Sequence, residues 1–516
     1  MSAMTSSGSS PPQAAGRLLD ALNDPARCER NVAFFLLAYV ALWTLYGAIA
    51  KGSQDIHFDM SEQFVLAREL ALGYPKHPPL TMLVVRLWFA VFPVADWAYY
   101  LLAMANAAIA LWIGWRLSAR FLEGDKRVLG LALLMLVPFF NFHALKFNPN
   151  TVLMPLWGAT TLFFLRSFET RRVLDAALAG LCAAAAMYGK YWSAIILLGL
   201  AIAALADTRR ASYFRSPAPW ITVVVGLAAL APHLAWLVTN DFMPLSYAVL
   251  VHGDASPASA AAGVLGYLIG SVAYVSVPLV IVLLVARPAR KTVADMVWPA
   301  TAERRLAAAS FWATLLLPAV LAPLIGVRLT SLWSMSAWTL LPVMLLSSPL
   351  VTITRRDAAG VAAFALALPL VMIGAAPVVS IVIHRAGAPA EGHSSLLAAP
   401  VKALWRQTTE RPLKVFGSTD IFTYGVPFYL PEHPDAVHVL ERAPTAAEEA
   451  LISKNGVALL CPTSATACVS MADAIAAKSP GSRRREVEVD RRYLGNEGKS
   501  ERYLLIAIPP ARPAGR

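Results

Sequence analysis

Two short stretches in the first fifth of the chain combine residue types that could bind phosphate or move a proton. DMSE begins at Asp59 and ends at Glu62, and GYPKHPPL places Lys76 beside His77. A lysine ammonium is a compact charge suited to phosphate, and prolines restrict the backbone that presents it. Other interpretations stay open: DMSE also fits a capping box, Lys76 could extend beside lipid headgroups, and His77 could be a hydrogen-bonding cap.

Further candidates lie where apolar runs end. Lys190 and Tyr191 follow such a run; a cation at a membrane boundary is a functional candidate, but beside aromatic residues it is also an ordinary anchor. Arg328 could bind phosphate bidentately or serve equally well as an anchor. Four second-rank candidates stand in polar turns and loops, where turn formation or simple solvation also accounts for them: Lys146, Asn148, His252 and Asp254.

The composition is that of an integral membrane protein. Of 516 residues, 57% are hydrophobic and 15% are charged, whereas soluble domains have about 45–50% and 25%. The net charge of +12 could suggest nucleic acid, but the basic residues cluster between apolar runs, as topology signals do. We therefore expect no nucleic-acid partner. Residues 1–29 are polar and lack the layout of a signal peptide, so the first apolar run is expected to be a retained span.

The apolar runs predict about eleven membrane spans, since a span needs about 20 mostly apolar residues. They are 31–50, 96–116, 129–145, 150–166, 173–189, 191–206, 219–239, 263–286, 306–326, 331–350 and 358–383. Alternate connections hold the basic residues, among them Arg116, Arg120, Lys126, Arg127, Arg166, Arg171, Arg172, Arg209, Arg210, Arg215, Arg287, Arg290, Lys291, Arg304, Arg305, Arg355 and Arg356. Basic loops face the cytoplasm, so the N-terminus is predicted there and the C-terminal tail on the periplasmic side of the inner membrane.

The predicted fold class is an α-helical multi-span membrane protein with a small C-terminal α/β domain. Residues 1–29 form a cytoplasmic, partly disordered N-terminus, 30–384 the transmembrane domain, and 385–516 a periplasmic domain in which β-rich runs alternate with helix-favouring stretches. Cys461 and Cys468 could pair in an oxidising compartment, or remain unpaired.

The first periplasmic loop, 51–95, is predicted to hold two helices that lie in the membrane surface. In the first helix, one face is apolar and another polar. The apolar face is Phe64, Ala67, Leu70 and Ala71, and the polar face is Ser61, Glu62, Arg68 and Glu69. The second helix follows the proline pair of HPPLTMLVVRLWFAVFP.

Together, Asp59 upstream of GYPKHPPL, KFNPNT at 146–151 and YGKYWSAIILL at 188–198 resemble the polyprenyl-phosphate-sugar-dependent glycosyltransferases of the C superfamily. That group includes the lipid A aminoarabinose transferase and the protein O-mannosyltransferases. The sequence is most similar to the rhizobial lipopolysaccharide galacturonosyltransferases, over roughly residues 31–350. It departs from the commoner pattern at Met60, which replaces a second acidic residue, and at Lys76, where an Asp often stands.

The resemblance implies an inverting transfer with Asp59 as general base and Asp55 in reserve. Donor phosphate would be held by Lys76, His77, Lys190, Tyr191 and Arg328, and acceptor contacts or second-rank roles fall to Glu62, Lys146, Asn148, His252 and Asp254. The donor would be a polyprenyl-phosphate sugar, a uronic acid or a hexose, and the acceptor lipopolysaccharide, lipid A or another envelope glycolipid.

No clear set of metal ligands supports a metal site, although a divalent metal is possible, and no other cofactor is expected. Two alternatives remain. The chain could be a protein O-mannosyltransferase-like enzyme or a transporter of lipid-linked sugars. Charges inside the predicted spans are few, which favours chemistry at the membrane surface over transport.

Overall fold

The computed structural model of the protein describes residues 13–253, 256–385 and 392–511. In chain order the helices are α1 (Gln13–Asn23), α2 (Cys28–Ala50), α3 (Phe58–Leu66), α4 (Leu80–Phe89), α5 (Asp96–Ser118), α6 (Gly124–Met135), α7 (Leu153–Thr170), α8 (Val173–Gly189), α9 (Ser193–Ala206), α10 (Arg210–Phe214), α11 (Ala218–Thr239), α12 (Met243–His252), α13 (Pro257–Tyr274), α14 (Ser276–Ala286), α15 (Arg290–Val297), α16 (Ala302–Ile325), α17 (Leu341–Leu346), α18 (Arg355–Arg385), α19 (Ser394–Thr408), α20 (Phe422–Tyr429), α21 (Ala446–Asn455) and α22 (Thr466–Ala477). Two 3-10 helices cover Pro138–Phe140 and Ser331–Leu340, and the strands are β1 (Val415–Gly417), β2 (Asp435–Val437), β3 (Val457–Pro462), β4 (Arg483–Tyr493) and β5 (Asn496–Ile508).

Several helices are long and apolar enough to cross a membrane, so the predicted multi-span helical fold is confirmed. Within the described residues there are five, α2, α5, α11, α16 and α18, or six if α13 and α14, which are bent by 52°, form one broken span. Other predicted spans fold as shorter apolar helices; α8 has 17 residues and α9 has 14. The count of about eleven spans therefore stays a prediction.

The chain forms two compact units. The first takes in the described residues of Met1–Thr44, Ala71–Thr81 and Leu101–Val371. Within it α8 and α11 meet at Gly180, where a Cβ atom would overlap the backbone of Thr222. The Thr222 hydroxyl also donates a hydrogen bond of 2.9 Å to the carbonyl of Ala176. Small residues at a helix crossing and hydroxyl-to-backbone bonds are typical of packing between membrane helices.

The second unit comprises Leu45–Leu70, Met82–Tyr100 and the described residues of Met372–Arg516. Its five-stranded sheet has the order β2-β1-β3-β5-β4, with β1 parallel to β2 and β3, and β5 antiparallel to β3 and β4. One apolar core includes residues of α19 and α20, and a second includes residues of α22. This confirms the predicted C-terminal α/β fold. Cys461 and Cys468, whose Cα atoms are 5.7 Å apart, form a disulfide between β3 and α22.

Both helices predicted in the 51–95 loop are present, as α3 and α4. The predicted faces of the first are only partly correct: Phe64 and Ala67 are buried as expected, but other positions differ. Glu62, assigned to the polar face, is buried, whereas Leu70 is exposed and lies beyond the end of α3. The reason is that α3 packs against other elements of its own unit: the Phe64 ring lies 5.0 Å from that of Phe428 and 5.3 Å from that of Phe89. A helix packed on more than one side buries polar positions as well.

Candidate active site

The turn that carries Lys76 and His77 presents both side chains to one aromatic ring. The backbone N–H of Tyr74 donates to the carbonyl of His77 over 2.9 Å, which closes the turn. The Lys76 ammonium lies 5.9 Å from the ring centroid of Tyr247 on α12, and the His77 ring meets the same ring edge-on at 6.4 Å. The two candidates for binding phosphate are thus held side by side.

Lys190 lies at the end of α8 with its charge directed to polar and aromatic partners. Its ammonium donates to Asn150 Oδ1 over 2.7 Å and lies 5.5 Å from the ring centroid of Trp333. The His252 ring is 5.0 Å from the same Trp333 ring, and the backbone N–H of Arg328 donates to the carbonyl of His252 over 2.7 Å. The fold therefore brings Lys190 and His252 to one tryptophan, and the backbone of Arg328 is bonded to that of His252.

A hydrogen-bonded chain links the Lys190 turn to the Lys76 turn. His233 on α11 contacts the carbonyl oxygen of Leu72 through Nδ1 at 2.6 Å and the hydroxyl of Tyr191 through Nε2 at 2.9 Å. A carbonyl only accepts, so Nδ1 carries a proton, and in the neutral imidazole Nε2 accepts from the Tyr191 hydroxyl. Next to Leu72, Gly73 lies so close to Trp236 that a Cβ atom would overlap the indole ring. Sequence reasoning missed this role of His233, because its partners are 161 and 42 residues away.

The second-rank residues of the 146–151 turn have an evident structural role. Asn148 is buried, and its Oδ1 accepts the backbone N–H groups of Asn150 and Thr151 at 2.9 and 3.1 Å. The Thr151 hydroxyl contacts the carbonyl of Lys146 at 3.1 Å. Asn148 thus shapes the turn from which Asn150 reaches Lys190. Asp254, another second-rank candidate, lies outside the described residues.

Asp59 belongs to the second unit, and the structure contradicts its interpretation as a helix cap. His57 is the N-cap of α3: its Nδ1 accepts the backbone N–H of Asp59 at 3.1 Å. The Asp59 side chain is 30% exposed, with a carboxylate oxygen 3.7 Å from His57 Nδ1. Nearby, the Tyr99 hydroxyl donates to the carbonyl of Met60 over 2.8 Å. The capping box of Asp59 and Glu62 is therefore wrong, because α3 begins at Phe58, two residues earlier than that pattern requires.

Asp55, the reserve candidate for the base, is buried in a network of donors. Its carboxylate accepts from Arg491 at 2.7 Å, from the Ser395 hydroxyl at 2.6 Å and from the backbone N–H of Ser394 at 2.6 Å. Burial raises the pKa of Asp55, against the opposing effect of the Arg491 guanidinium and the serine hydrogen bonds. These contacts favour an anchoring role for Asp55, because its oxygens are engaged by the C-terminal part of its own unit.

The next residue extends the same anchor. The backbone N–H of Ile56 donates to the Tyr429 hydroxyl over 2.9 Å, and that hydroxyl donates to Asp96 over 3.2 Å. Sequence reasoning missed Arg491 and Tyr429, which are 436 and 373 residues from their partners. No local pattern signals contacts at such a separation.

The described residues contain no group of three or more His, Cys, Asp or Glu side chains placed to hold a metal ion.

Comparison with known proteins agrees with the fold. Residues 76–236 match the family described as dolichyl-phosphate-mannose-protein mannosyltransferase. The solved structure of ArnT from Cupriavidus metallidurans bound to undecaprenyl phosphate superimposes with a TM-score of 0.61 at 12% identity, covering 92% of this chain and 98% of that one. The apo structure of the same protein gives 0.59 over the same shares.

This chain has the fold of ArnT. It is 27% identical to the lipopolysaccharide core galacturonosyltransferase RgtB of Rhizobium johnstonii over 222 residues, 42% of this chain and 44% of that one. It is 25% identical to RgtA of the same organism over 355 residues, 66% of this chain and 67% of that one. The match thus spans less than half the length of RgtB. Together these similarities confirm the predicted resemblance to the C-superfamily glycosyltransferases.

Proposed function

We propose that this C-superfamily protein transfers a sugar from a polyprenyl phosphate to lipopolysaccharide, lipid A or another envelope glycolipid, with inversion at the anomeric carbon. The observation that carries the proposal is the chain from Tyr191 through His233 to Leu72, since it ties together the two turns that bear Lys76 and Lys190. RgtA and RgtB are named for transfer to the lipopolysaccharide core, and an ArnT structure holds undecaprenyl phosphate, which supports the donor and acceptor classes.

In this mechanism the cations stabilise the departing phosphate. The bond between the anomeric carbon and the phosphate oxygen breaks, and its electron pair stays with the phosphate, so negative charge grows there in the transition state. Lys76 and Lys190 contact the phosphate oxygens as charged donors, with His77 and Arg328 as further contacts. If these side chains are already in position before the reaction, little free energy is spent on moving them as the charge develops on the phosphate. Tyr191, also predicted to bind the phosphate, instead donates a hydrogen bond from its hydroxyl to His233 and so holds the loop that presents Lys76.

Asp59 is the proposed general base. The acceptor hydroxyl loses its proton to the carboxylate as its oxygen attacks the anomeric carbon from the face opposite the phosphate, and that direction of attack inverts the configuration. Since His57 caps α3, the carboxylate is not needed to cap the helix. Glu62 and His252 are proposed acceptor contacts. Lys146 and Asn148 have proposed second-rank roles, as does Asp254, which lies outside the described residues.

The protein is proposed to be a multi-pass protein of the inner membrane, with the N-terminus in the cytoplasm and the region from about residue 385 forming a periplasmic domain. The distribution of basic loops supports this orientation. The disulfide between Cys461 and Cys468 also supports it, because disulfides persist in oxidising compartments such as the periplasm.

The sugar is proposed to be a uronic acid, whose carboxylate suits a site rich in cations, with a hexose as the other possibility. The family description, which names protein mannosylation, makes a protein acceptor the second candidate function. The two candidate functions, transfer to a glycolipid and transfer to a protein, use the same donor chemistry and differ only in the acceptor.

The test uses the full-length protein in lipid nanodiscs with synthetic polyprenyl-phosphate galacturonic acid or hexose. Lipopolysaccharide and envelope protein are offered as separate acceptors, and products are followed by mass spectrometry. Asp59→Asn should lower kcat at least about 100-fold, the lower range for loss of a general base, while donor binding is kept. Glu69→Gln, which neutralises an exposed carboxylate just beyond α3, is the matched control. Turnover by Asp59→Asn within threefold of the parent protein would refute the assignment of the base.

A further inference from the structure

The first unit contains an arginine-lined pocket that the proposed reaction does not use. It has a volume of about 420 Å³ and lies where the start of α2, the ends of α5 and α7, and α6 come together. Its charged lining consists of Glu29, Arg116, Arg120, Arg127, Arg166 and Arg172. These arginines belong to the connections predicted to face the cytoplasm.

At one wall of the pocket, two arginines share one carboxylate. Arg127 contacts Glu29 Oε1 at 3.2 Å, and Arg116 lies 3.4 Å from Glu29 Oε2. The Arg127 guanidinium also stacks 3.5 Å from the ring centroid of Trp115, which holds it in place. Glu29 neutralises only one of these two charges, so this wall carries an excess positive charge.

The remaining arginines of the pocket add a second excess charge. Arg120 pairs with Glu169, and Arg166 contacts Asp175 at 2.9 Å. Arg172 is exposed and adds a fifth guanidinium. Counting Glu29 and the carboxylates of these two pairs, five guanidiniums face three carboxylates, an excess of two charges. Among the described residues, Arg120 Nε is buried without a hydrogen-bond partner.

The pocket borders apolar surface of the kind that lipid tails cover. The Arg116 guanidinium lies 5.7 Å from the ring centroid of Trp112, and this indole, one turn further into α5, is 40% exposed. Val173 and Leu174, directly after Arg172, are also exposed. A ligand in the pocket would therefore meet guanidiniums at its polar end and an apolar surface beside it.

We propose that this pocket binds the headgroup of a membrane lipid that carries two phosphate charges. Arginine forks match phosphate oxygens bidentately, and basic pockets between helices at the cytoplasmic face bind such headgroups. The excess of two positive charges equals the charge of a headgroup with two phosphodiesters. This lipid is a structural ligand, distinct from the donor and the acceptor of the proposed transfer.

The experiment measures lipid binding to the full-length protein by native mass spectrometry after reconstitution with cardiolipin, phosphatidylglycerol or phosphatidylcholine. Cardiolipin should remain bound to the parent protein, and Arg116→Gln/Arg172→Gln should weaken this binding at least about tenfold, given roughly 1 kcal/mol for each basic residue near lipid phosphates. Arg215→Gln/Arg290→Gln removes two exposed arginines from other basic connections and should change binding less than twofold.

Three outcomes would overturn the proposal. An equal loss of cardiolipin binding in both double variants would show that basic residues attract the lipid in general, without a specific pocket. Equal retention of phosphatidylcholine and cardiolipin by the parent protein would show that binding does not depend on the negative charge of the headgroup. Displacement of cardiolipin by millimolar inorganic phosphate would assign the pocket to free phosphate. If the double variant does not fold, Arg172→Gln alone is used, because the side chain is exposed.

Discussion

At the scale of the residue, Asp55 and Asp59 are four positions apart but have different surroundings. Asp55 is buried under Arg491 and the first residues of α19, whereas Asp59 is partly exposed on the first turn of α3. A carboxylate that holds several donors is fixed in place, while one with an accessible oxygen can receive a proton from a substrate. The contacts thus favour an anchoring role for Asp55, while the partial exposure of Asp59 supports its proposed role as the base.

Replacing Asp55 separates these roles. Asp55→Asn should destabilise the protein by about 3 kcal/mol, because it leaves the Arg491 charge without its buried partner, and it should lower kcat less than Asp59→Asn does. Thermal unfolding in detergent and kcat are measured together. Arg491→Gln should give a similar loss, and the double variant should cost less than the sum of the two. Abolished turnover by Asp55→Asn at unchanged stability would instead identify Asp55 as the base.

Among the helices, two tyrosines near the end of α8 both make hydrogen bonds to α11, one to its backbone and one to a side chain. Tyr188 donates to the carbonyl of Ala229 over 3.1 Å, which fastens α8 to α11. Tyr191 reaches Leu72 through His233 and so fastens the loop that presents Lys76. One hydroxyl holds the scaffold and the other holds the proposed phosphate site.

This difference predicts distinct kinetic effects. Tyr191→Phe and Tyr188→Phe each delete one hydroxyl and should each lower stability by about 1 kcal/mol. Only Tyr191→Phe should also raise the KM for the polyprenyl-phosphate donor, about three- to tenfold, since it releases the loop that carries Lys76. Donor titrations on the purified variants check this. An equal rise in KM for Tyr188→Phe would mean that general loosening of α11, and not the bond to His233, sets donor affinity.

At the scale of the whole molecule, the proposed reaction requires the C-terminal sheet to lie on the periplasmic side. The basic connections predict this orientation, and the disulfide between Cys461 and Cys468 fits an oxidising compartment. Both observations are independent of the proposed chemistry, so the orientation can be tested without an activity assay.

Cysteine labelling provides that test. In a background with Cys28→Ala and Cys182→Ala, Lys478→Cys at an exposed position after α22 should react with a membrane-impermeant maleimide in cells with a permeabilised outer membrane. Arg290→Cys, exposed at the start of α15, should react only after lysis. The reverse pattern would invert the proposed topology.

The sequence by itself determined the class of fold, because hydropathy and the placement of basic residues report directly on the membrane environment. Its motifs also indicated the resemblance to the C-superfamily glycosyltransferases. It also placed the helices of the 51–95 loop. It could not show that His57 rather than Asp59 caps α3, since both patterns are compatible with the same residues. It also gave no sign that Asp55 meets Arg491 or that Tyr191 reaches Leu72 through His233. Those partners are far apart along the chain, and only tertiary packing brings them within hydrogen-bond distance.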